Sequence, residues 1–594
     1  MLFHMRVRLS CFGSPIYCIV RCKLGVVTAE PMQTNTDRRI QYSLIFIAIF
    51  LGGLYSWMAR NTMSVDGVVY LDIADAYRYG NWHDAINAYY SPLYSWLLGL
   101  SLAIVRPSRS SEAACVHALN FLIYLWTLFA FEMLMQQLLA SFREDPVRRA
   151  VVPEACWRLF GYGLFFWSAL VMIGVAEVTP DLCVSGFVYA GTAILIRLSR
   201  ANASRGLYPL LGGLMGLGYL TKNPMLIIGL GTIAIATLRS RPRSIVKGLI
   251  ALTTFVLFSG PFILLISREK GHLTIGEVGG WNYTYFINGH PGFDLDGVYP
   301  SVVHWQGLPA GTGTPLHSTQ RIGESPAVYA FGSPIGGSYP PLYDPSYWFD
   351  GVSPHFDLKG QLRVLAVSFR DYFHIFFYEL GALPVSLTIL LLSGWRLRRG
   401  FDQVRLDWIA CAPALIAMGM YAFVHVESRY LGSIVVLLSL GLFGTLQPPE
   451  RKEMRTLLAV VLVSAALVTG LKLSVSIAGS LSKSGDASAG IAVREQVRIA
   501  DALLQNGVHS KDTVAFIGLG VGAYWARLAG VKIVAEVPAT NLYWSLDASK
   551  QSRINEELRS AGASLLIAKG IPAGVPNPPW IPLENTMYYL HRLD

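Results

Sequence analysis

The feature that most constrains this chain is an alternation. Apolar runs long enough to cross a bilayer recur along it, and arginine and lysine gather in every second connection between them. The first run, "IQYSLIFIAIFLGGLYSWM", follows Arg38 and Arg39 and has about twenty residues, enough for a helix to span the hydrocarbon core. Further runs follow at Glu112 to Ala140, Trp157 to Ala176, Leu182 to Leu198, Gly206 to Thr221, Pro224 to Leu238, Gly248 to Ile266, His374 to Trp395, Asp407 to Val424, Tyr430 to Leu446 and Thr456 to Ser474. Basic clusters stand at Arg143, Arg148 and Arg149; at Arg197, Arg200 and Arg205; at Arg239, Arg241, Arg243 and Lys247; at Arg396, Arg398, Arg399 and Arg405; and at Arg451, Lys452 and Arg455. Positive loops stay in the cytoplasm, so the pattern predicts about eleven spans in the cytoplasmic (inner) membrane. The N-terminus lies inside and the C-terminus outside. The run from Leu93 to Val105 is too short to span and reads as an interfacial helix. Counted as a span, it would invert every later cluster.

Composition agrees. A chain of 594 residues that is 53% hydrophobic and 14% charged does not fold around one soluble core. A net charge of +10 could suit nucleic acid, but the bases sit in short clusters between apolar runs and form no basic face, which argues against such a partner. The cysteines form neither a disulfide framework nor a metal-ligand spacing.

This topology divides the chain into a cytoplasmic N-terminal extension (1–38), in which Met32 offers an alternative start, a transmembrane domain (39–475) and an outer tail (476–594). Two outer regions stand out within the transmembrane domain. Residues 61–111 gather Asp66, Asp72, Asp75 and Asp84 among tyrosines and tryptophans. An acidic cluster pinned beside a bilayer is costly unless it acts, although Asp72 and Asp75, three apart on a short helix, read best as one solvated face. Residues 268–373 form a long loop dense in Gly, Pro and aromatics, read as an ordered lid, with an amphipathic interfacial helix over Arg363 to Phe377. In the tail, "REQVRIADALLQNG", "TVAFIGLG", "GAYWARLAG", "VKIVAEV", "SRINEELRSAG" and "ASLLIA" alternate between helix and strand, which predicts a small α/β domain with a parallel sheet. Its "GLGVG" follows a strand, but the glycine pattern is incomplete, so a structural role is preferred over a nucleotide site.

The predicted sidedness brings several ionisable groups to the outer ends of spans: Asp66, Glu177 and Asp181 in "GVAEVTPDLC", Lys222 in "GYLTKNP", and His425, Glu427, Arg429 and Tyr430 in "HVESRY". Carboxylates facing bases suit a reaction with a proton to remove and an anion to hold. Phosphate is the natural anion at a membrane surface. The bland readings are a helix-capping role for Glu177 and Asp181 and interfacial snorkelling for Lys222 and Arg429.

The series "DGVVYLDIA", "SPLYSWLLGL", "TPD", "GLMGLGYLTKNP" and "ESRYLGSIVVLLSLG" resembles the GT-C integral membrane glycosyltransferases, in the branch of protein O-mannosyltransferases and aminoarabinose transferases. It covers roughly Arg39 to Leu446 and implies an α-helical polytopic fold. It further implies transfer of a sugar from a polyprenyl-phosphate carrier to an acceptor, which could be lipid, protein or polysaccharide, on the outer side of the membrane. By position, Asp66 would be the base of an inverting displacement and Asp181 the second acid. Lys222 and Arg429 would hold the donor phosphate, while Tyr70, Tyr94, Glu177, His425, Glu427 and Tyr430 would line the substrate pocket. Two departures stand out. Gly67 replaces a glutamate found in many relatives, and Tyr89, Tyr90 and Ser91 replace the Glu-Lys-Pro of aminoarabinose transferases. The second departure argues against aminoarabinose as the sugar. No metal site is assigned: a divalent metal stays open through His83, His374 or His425, with plain hydrogen-bonding histidines preferred. The rival class is a multi-pass transporter or lipid-linked-sugar flippase, but the sequence lacks the internal repeats such proteins tend to show.

Overall fold

The computed structural model describes residues 35–144, 152–200, 204–240, 244–288, 320–332, 336–341, 354–397, 406–447, 449, 453–482, 491–572 and 580–593. Most of the N-terminal extension, part of each basic cluster except the one at Arg197 to Arg205, and, of the aromatic stretches of the long loop, residues 289–294 and 342–351 lie outside these residues. So, for those stretches, does the expected lid.

The chain is a multi-pass helical bundle with an α/β domain at one end. Among the described residues six helices are long and apolar enough to cross a membrane: Asn35–Ala59 (α1), Glu112–Glu144, Glu154–Met172, Asp181–Leu198, Ile245–Lys270 and, in the last span, Thr456–Gly479. Four shorter apolar helices, Leu207–Thr221, Met225–Arg239, Trp408–Ala422 and Ser428–Gly444, fill out the bundle, and Pro92–Val105 is a further short helix. The expected span from His374 to Trp395 is broken by a bend. Leu358–Glu379 is one helical stretch, closing in a π-helical turn at His374–Glu379, and it bends by 80° into Ala382–Leu392. At the bend Lys472 Nζ donates to the carbonyls of Tyr378 (3.2 Å) and Glu379 (2.7 Å), satisfying groups that the broken helix leaves open.

Small residues explain part of the packing. A Cβ on Gly212 would fall 1.9 Å from the carbonyl oxygen of Ala251, so the helices at 207–221 and 245–270 touch backbone to backbone. A buried polar knot ties three other helices. Glu132 accepts from Gln41 Nε2 (2.6 Å), Arg158 Nη1 (3.0 Å) and Tyr162 Oη (2.8 Å). The signals for it were a lone acid in "FEMLMQQ" and a lone arginine in "CWRLF", both inside apolar runs.

The tail contains the three expected strands. Thr513–Ile517 is central and runs parallel to both Lys532–Val537 and Leu565–Lys569. Among the described residues the sheet is nonetheless mixed and has seven strands. One edge is extended by Tyr588–Arg592 and Ile581–Pro582, the other by the hairpin Gln320–Glu324 and Ala327–Ala330. That hairpin comes from the long loop, on the far side of residue 476, so loop and tail share one sheet. Four- and five-residue strands beside glycine and proline carry little periodic signal of their own.

Candidate functional site

Three helix termini and one inter-helix turn build the site. Val65–Arg78 (α2) begins at Ser64, whose Oγ accepts from Gly67 N at 3.1 Å, and places Asp66 in its first turn. Asp181 opens the helix Asp181–Leu198, again in a first turn, where exposed backbone N–H groups favour negative charge. Lys222 follows the last residue of Leu207–Thr221 in extended backbone, before Pro224 starts the next helix. Glu427 stands just ahead of Ser428–Gly444, which carries Arg429 and Tyr430 in its first turn.

Packing joins these ends. Lys222 Nζ lies 2.6 Å from Asp181 Oδ1, and Arg429 Nη1 lies 3.2 Å from Asp66 Oδ2, across 363 positions of sequence. Arg429 Nε is 3.0 Å from Glu427 Oε1 and 4.0 Å from Asp181 Oδ2. The Tyr430 ring underlies both cations, 4.0 Å from Lys222 Nζ and 5.3 Å from the Arg429 guanidinium carbon, and stacks on Tyr421. Asp66, Lys222 and Arg429 keep 28%, 23% and 25% of their side chains exposed, so the cluster opens to solvent; Asp181 keeps only 5%. Buried Asp181 Oδ2 makes no hydrogen bond among the described residues, which leaves an acceptor aimed into the cluster. Four carboxylates, Asp66, Glu177, Asp181 and Glu427, share two cations. An incoming anion must therefore compete for Arg429 and Lys222.

The other expected pocket residues divide. Burial holds the Glu177 carboxyl above the usual carboxylate range, a shift Arg429 opposes and Asp66 reinforces. His425 stacks face to face on Phe286 at 4.2 Å, so the loop helix Val278–Phe286 lies over the site, and burial pushes its imidazole down while Glu427 opposes. Tyr70 is buried edge-on against Tyr90 and Tyr94. Tyr94 as a pocket wall is corrected. It is fully buried and donates to Asn120 Oδ1 (2.8 Å), while Asn120 Nδ2 donates to the Glu177 carbonyl (3.0 Å), so it supports the site from behind. Asn120 was missed because a single amide within an apolar run gives no sign of what it will meet.

The histidines considered as ligands lie apart from one another: His83 pairs with Glu269 at 2.8 Å and His374 faces Glu379 at 3.7 Å. Among the described residues no group of three or more His, Cys, Asp or Glu side chains is placed to hold a metal.

Asp72 and Asp75 correct the expectation of a solvated face. Asp72 is 6% exposed and accepts from Ser338 N (2.8 Å), Ser338 Oγ (2.9 Å) and Arg527 Nη1 (2.8 Å). Asp75 and Glu112 contact the same guanidinium at 2.8 and 3.0 Å. The "GLGVG" loop is filled by protein: Gly520 N donates to Glu536 Oε2 (2.7 Å), whose other oxygen accepts from Tyr339 Oη (3.0 Å), and a Cβ on Gly520 would fall 2.4 Å from the Tyr339 ring.

No protein-family model matches the chain, and no curated protein matches it. Among solved structures the chain is similar to ArnT from Cupriavidus metallidurans in the apo state, at 12% identity and a TM-score of 0.49 over 93% of this chain and 98% of that one. The same enzyme bound to undecaprenyl phosphate gives 12% identity and a TM-score of 0.48 over 92% and 98%. An oligosaccharyltransferase from Archaeoglobus fulgidus, in complex with zinc and sulfate, gives 11% and 0.43 over 88% and 68%.

Proposed function

We propose that this chain is a GT-C membrane glycosyltransferase, moving a sugar from a polyprenyl-phosphate carrier to an acceptor on the outer side of the cytoplasmic membrane. The observation that carries the reading is the convergence of Asp66, Asp181, Lys222 and Arg429 in one half-open cluster at an end of the bundle. The carrier phosphate enters by competing for Arg429 and Lys222, which releases Asp66 from its ion pair at the moment a base is needed. The acceptor hydroxyl donates to Asp66, with Asp181 Oδ2 as the neighbouring acceptor that orients it. Its oxygen then attacks the anomeric carbon as the carbon–phosphate-oxygen bond breaks, and the configuration inverts. The polyprenyl phosphate leaves with the bonding electrons, and the two cations stabilise that charge. Glu177, Glu427, His425 and Tyr430 form the wall around the reacting groups.

The test is purified protein with radiolabelled undecaprenyl-phosphate hexoses and pentoses and a cell-envelope extract as acceptor. Label moving covalently to the extract, with an Asp66→Asn loss of about 10²–10⁴-fold at equal expression, is the expected result. Lipid crossing between leaflets without covalent transfer would point to a transporter instead.

A further inference from the structure

Helix α2, which carries Asp66, packs on Pro92–Val105, where Ser95 Oγ donates to the Tyr70 carbonyl at 3.1 Å, and the α/β domain grips it as well. Ahead of it, Thr62–Met63 pairs antiparallel with Ile491–Ala492, and Val493 N donates to Asn61 O at 3.0 Å. Against its first turns lies the filled glycine loop: Val65, Val68, Val69 and Asp72 face Gly520, Val521 and Gly522, and a Cβ on Gly522 would meet Val65 Cγ2 at 3.2 Å. Farther along, Arg527 enters from the short helix Tyr524–Ala529 and is 6% exposed. It contacts Asp72 and Asp75 of α2 together with Glu112, the first residue of the long span Glu112–Glu144. Tyr524 Oη donates to Glu112 as well, at 2.8 Å. One guanidinium thus fastens three elements, and its planar fork fits this better than a lysine could.

Asp66 and Asp72 are six residues apart, about 9 Å of helix rise, so a grip on Asp72 fixes where the first turn sits. The groups opposite Asp66 stand on other supports. Lys222 sits in the turn after Leu207–Thr221 and Arg429 in Ser428–Gly444, whereas among the described residues the ion pairs of Arg527 go to Asp72, Asp75 and Glu112. We infer that Arg527 is a positioning residue: through Asp72, Asp75 and Glu112 the α/β domain braces α2 and sets the Asp66 carboxylate against the acceptor, while the donor-phosphate cations Lys222 and Arg429 are carried by the bundle. The inference rests on the glycosyl-transfer reading for its activity arm and on geometry alone for its structural arm.

The experiment uses the full-length protein and three variants, Arg527→Ala, Arg527→Lys and Asp75→Asn, the last included because it removes one of the three carboxylates on Arg527 and leaves Asp72 and Glu112 in place. Three quantities are measured: binding of undecaprenyl phosphate, kcat for label transfer, and hydrogen exchange of residues 65–78. The inference expects Arg527→Ala to bind undecaprenyl phosphate within twofold of wild type, to lose at least tenfold in kcat, and to exchange at least tenfold faster over 65–78 but not over 207–221 or 428–444. Arg527→Lys recovers part of the kcat. If Arg527→Ala does not accumulate, Asp75→Asn carries the test, with a threefold or greater loss in kcat at unchanged binding. Loss of binding in step with kcat means general structural damage and overturns the positioning role, as does faster exchange over 65–78 with unchanged kcat. Faster exchange with no transfer by any protein, wild type included, keeps the brace and overturns the glycosyl-transfer reading instead.

Discussion

Replacing Gly67 by alanine sets two effects against each other on the helix that carries Asp66. In an ordinary helix interior the change stabilises by about 0.5–1 kcal/mol, since glycine loses more backbone freedom on folding. Here the new Cβ would fall 2.7 Å from Val178 Cβ, 2.8 Å from Met63 Sδ and 2.9 Å from Val178 Cγ1. Met63 can bend aside, but Val178 is fully buried, stiff at χ1, and part of the short segment that leads into Pro180 and Asp181. Overpacking of this kind costs about 1–3 kcal/mol. The difference leaves a net loss between about zero and 2.5 kcal/mol. Relief of the contact pushes the start of α2 away from Val178, and with it Asp66 from its 3.2 Å contact with Arg429. A displacement of half an ångström at reacting groups is worth on the order of tenfold in rate. The expected outcome for Gly67→Ala is a lowered thermal midpoint in detergent and a kcat reduced about tenfold. Gly67→Glu, which places a far larger side chain against Val178, is expected not to accumulate. A higher midpoint with full activity for Gly67→Ala would refute the packing argument.

Lys222→Met leaves Asp181 without its 2.6 Å partner and is expected to destabilise by about 1–3 kcal/mol and weaken undecaprenyl phosphate binding; Lys222→Met with Asp181→Leu should regain the stability but not the binding, as read by thermal unfolding and titration. Glu132→Leu strands Arg158 in the bundle and is expected to cost about 3–5 kcal/mol, whereas Glu132→Leu with Arg158→Met should recover most of it; a single variant as stable as wild type in denaturation would refute the buried pair. Burial lowers the His425 imidazole from its ordinary value of about 6.5, so the unfolded chain takes up that proton first. The stability it contributes is present above about pH 6.5 and drains as pH falls below it. His425→Gln should flatten the decline in thermal midpoint between about pH 7 and pH 5.5, and an unchanged slope would refute the assignment.

The candidate site was readable as a set of residues but not as contacts. Asp66, Asp181, Lys222 and Arg429 each stand at the end of an apolar run, and the charge pattern of the connections alone assigns them to one side. That Arg429 reaches Asp66 while Lys222 reaches Asp181 depends on which helix ends meet. Asp72 shows the limit most clearly. Its spacing from Asp75 describes one face of a helix and says nothing about what covers that face, and the partner, Arg527, lies 455 positions away in another domain.

What the amino-acid sequence determined by itself is whatever follows from the neighbours of each residue along the chain: the apolar lengths, the basic connections, the amphipathic helix before the bend, and the three central strands of the tail. Tertiary structure alone decided the bend at residue 380, the hairpin lent by the long loop to the tail's sheet, the burial of Asp72, and the lack of room beside Gly67. The physical reason is that periodicity reports whether a surface is buried, whereas the identity of the group that buries it is set by packing between segments that the sequence leaves far apart.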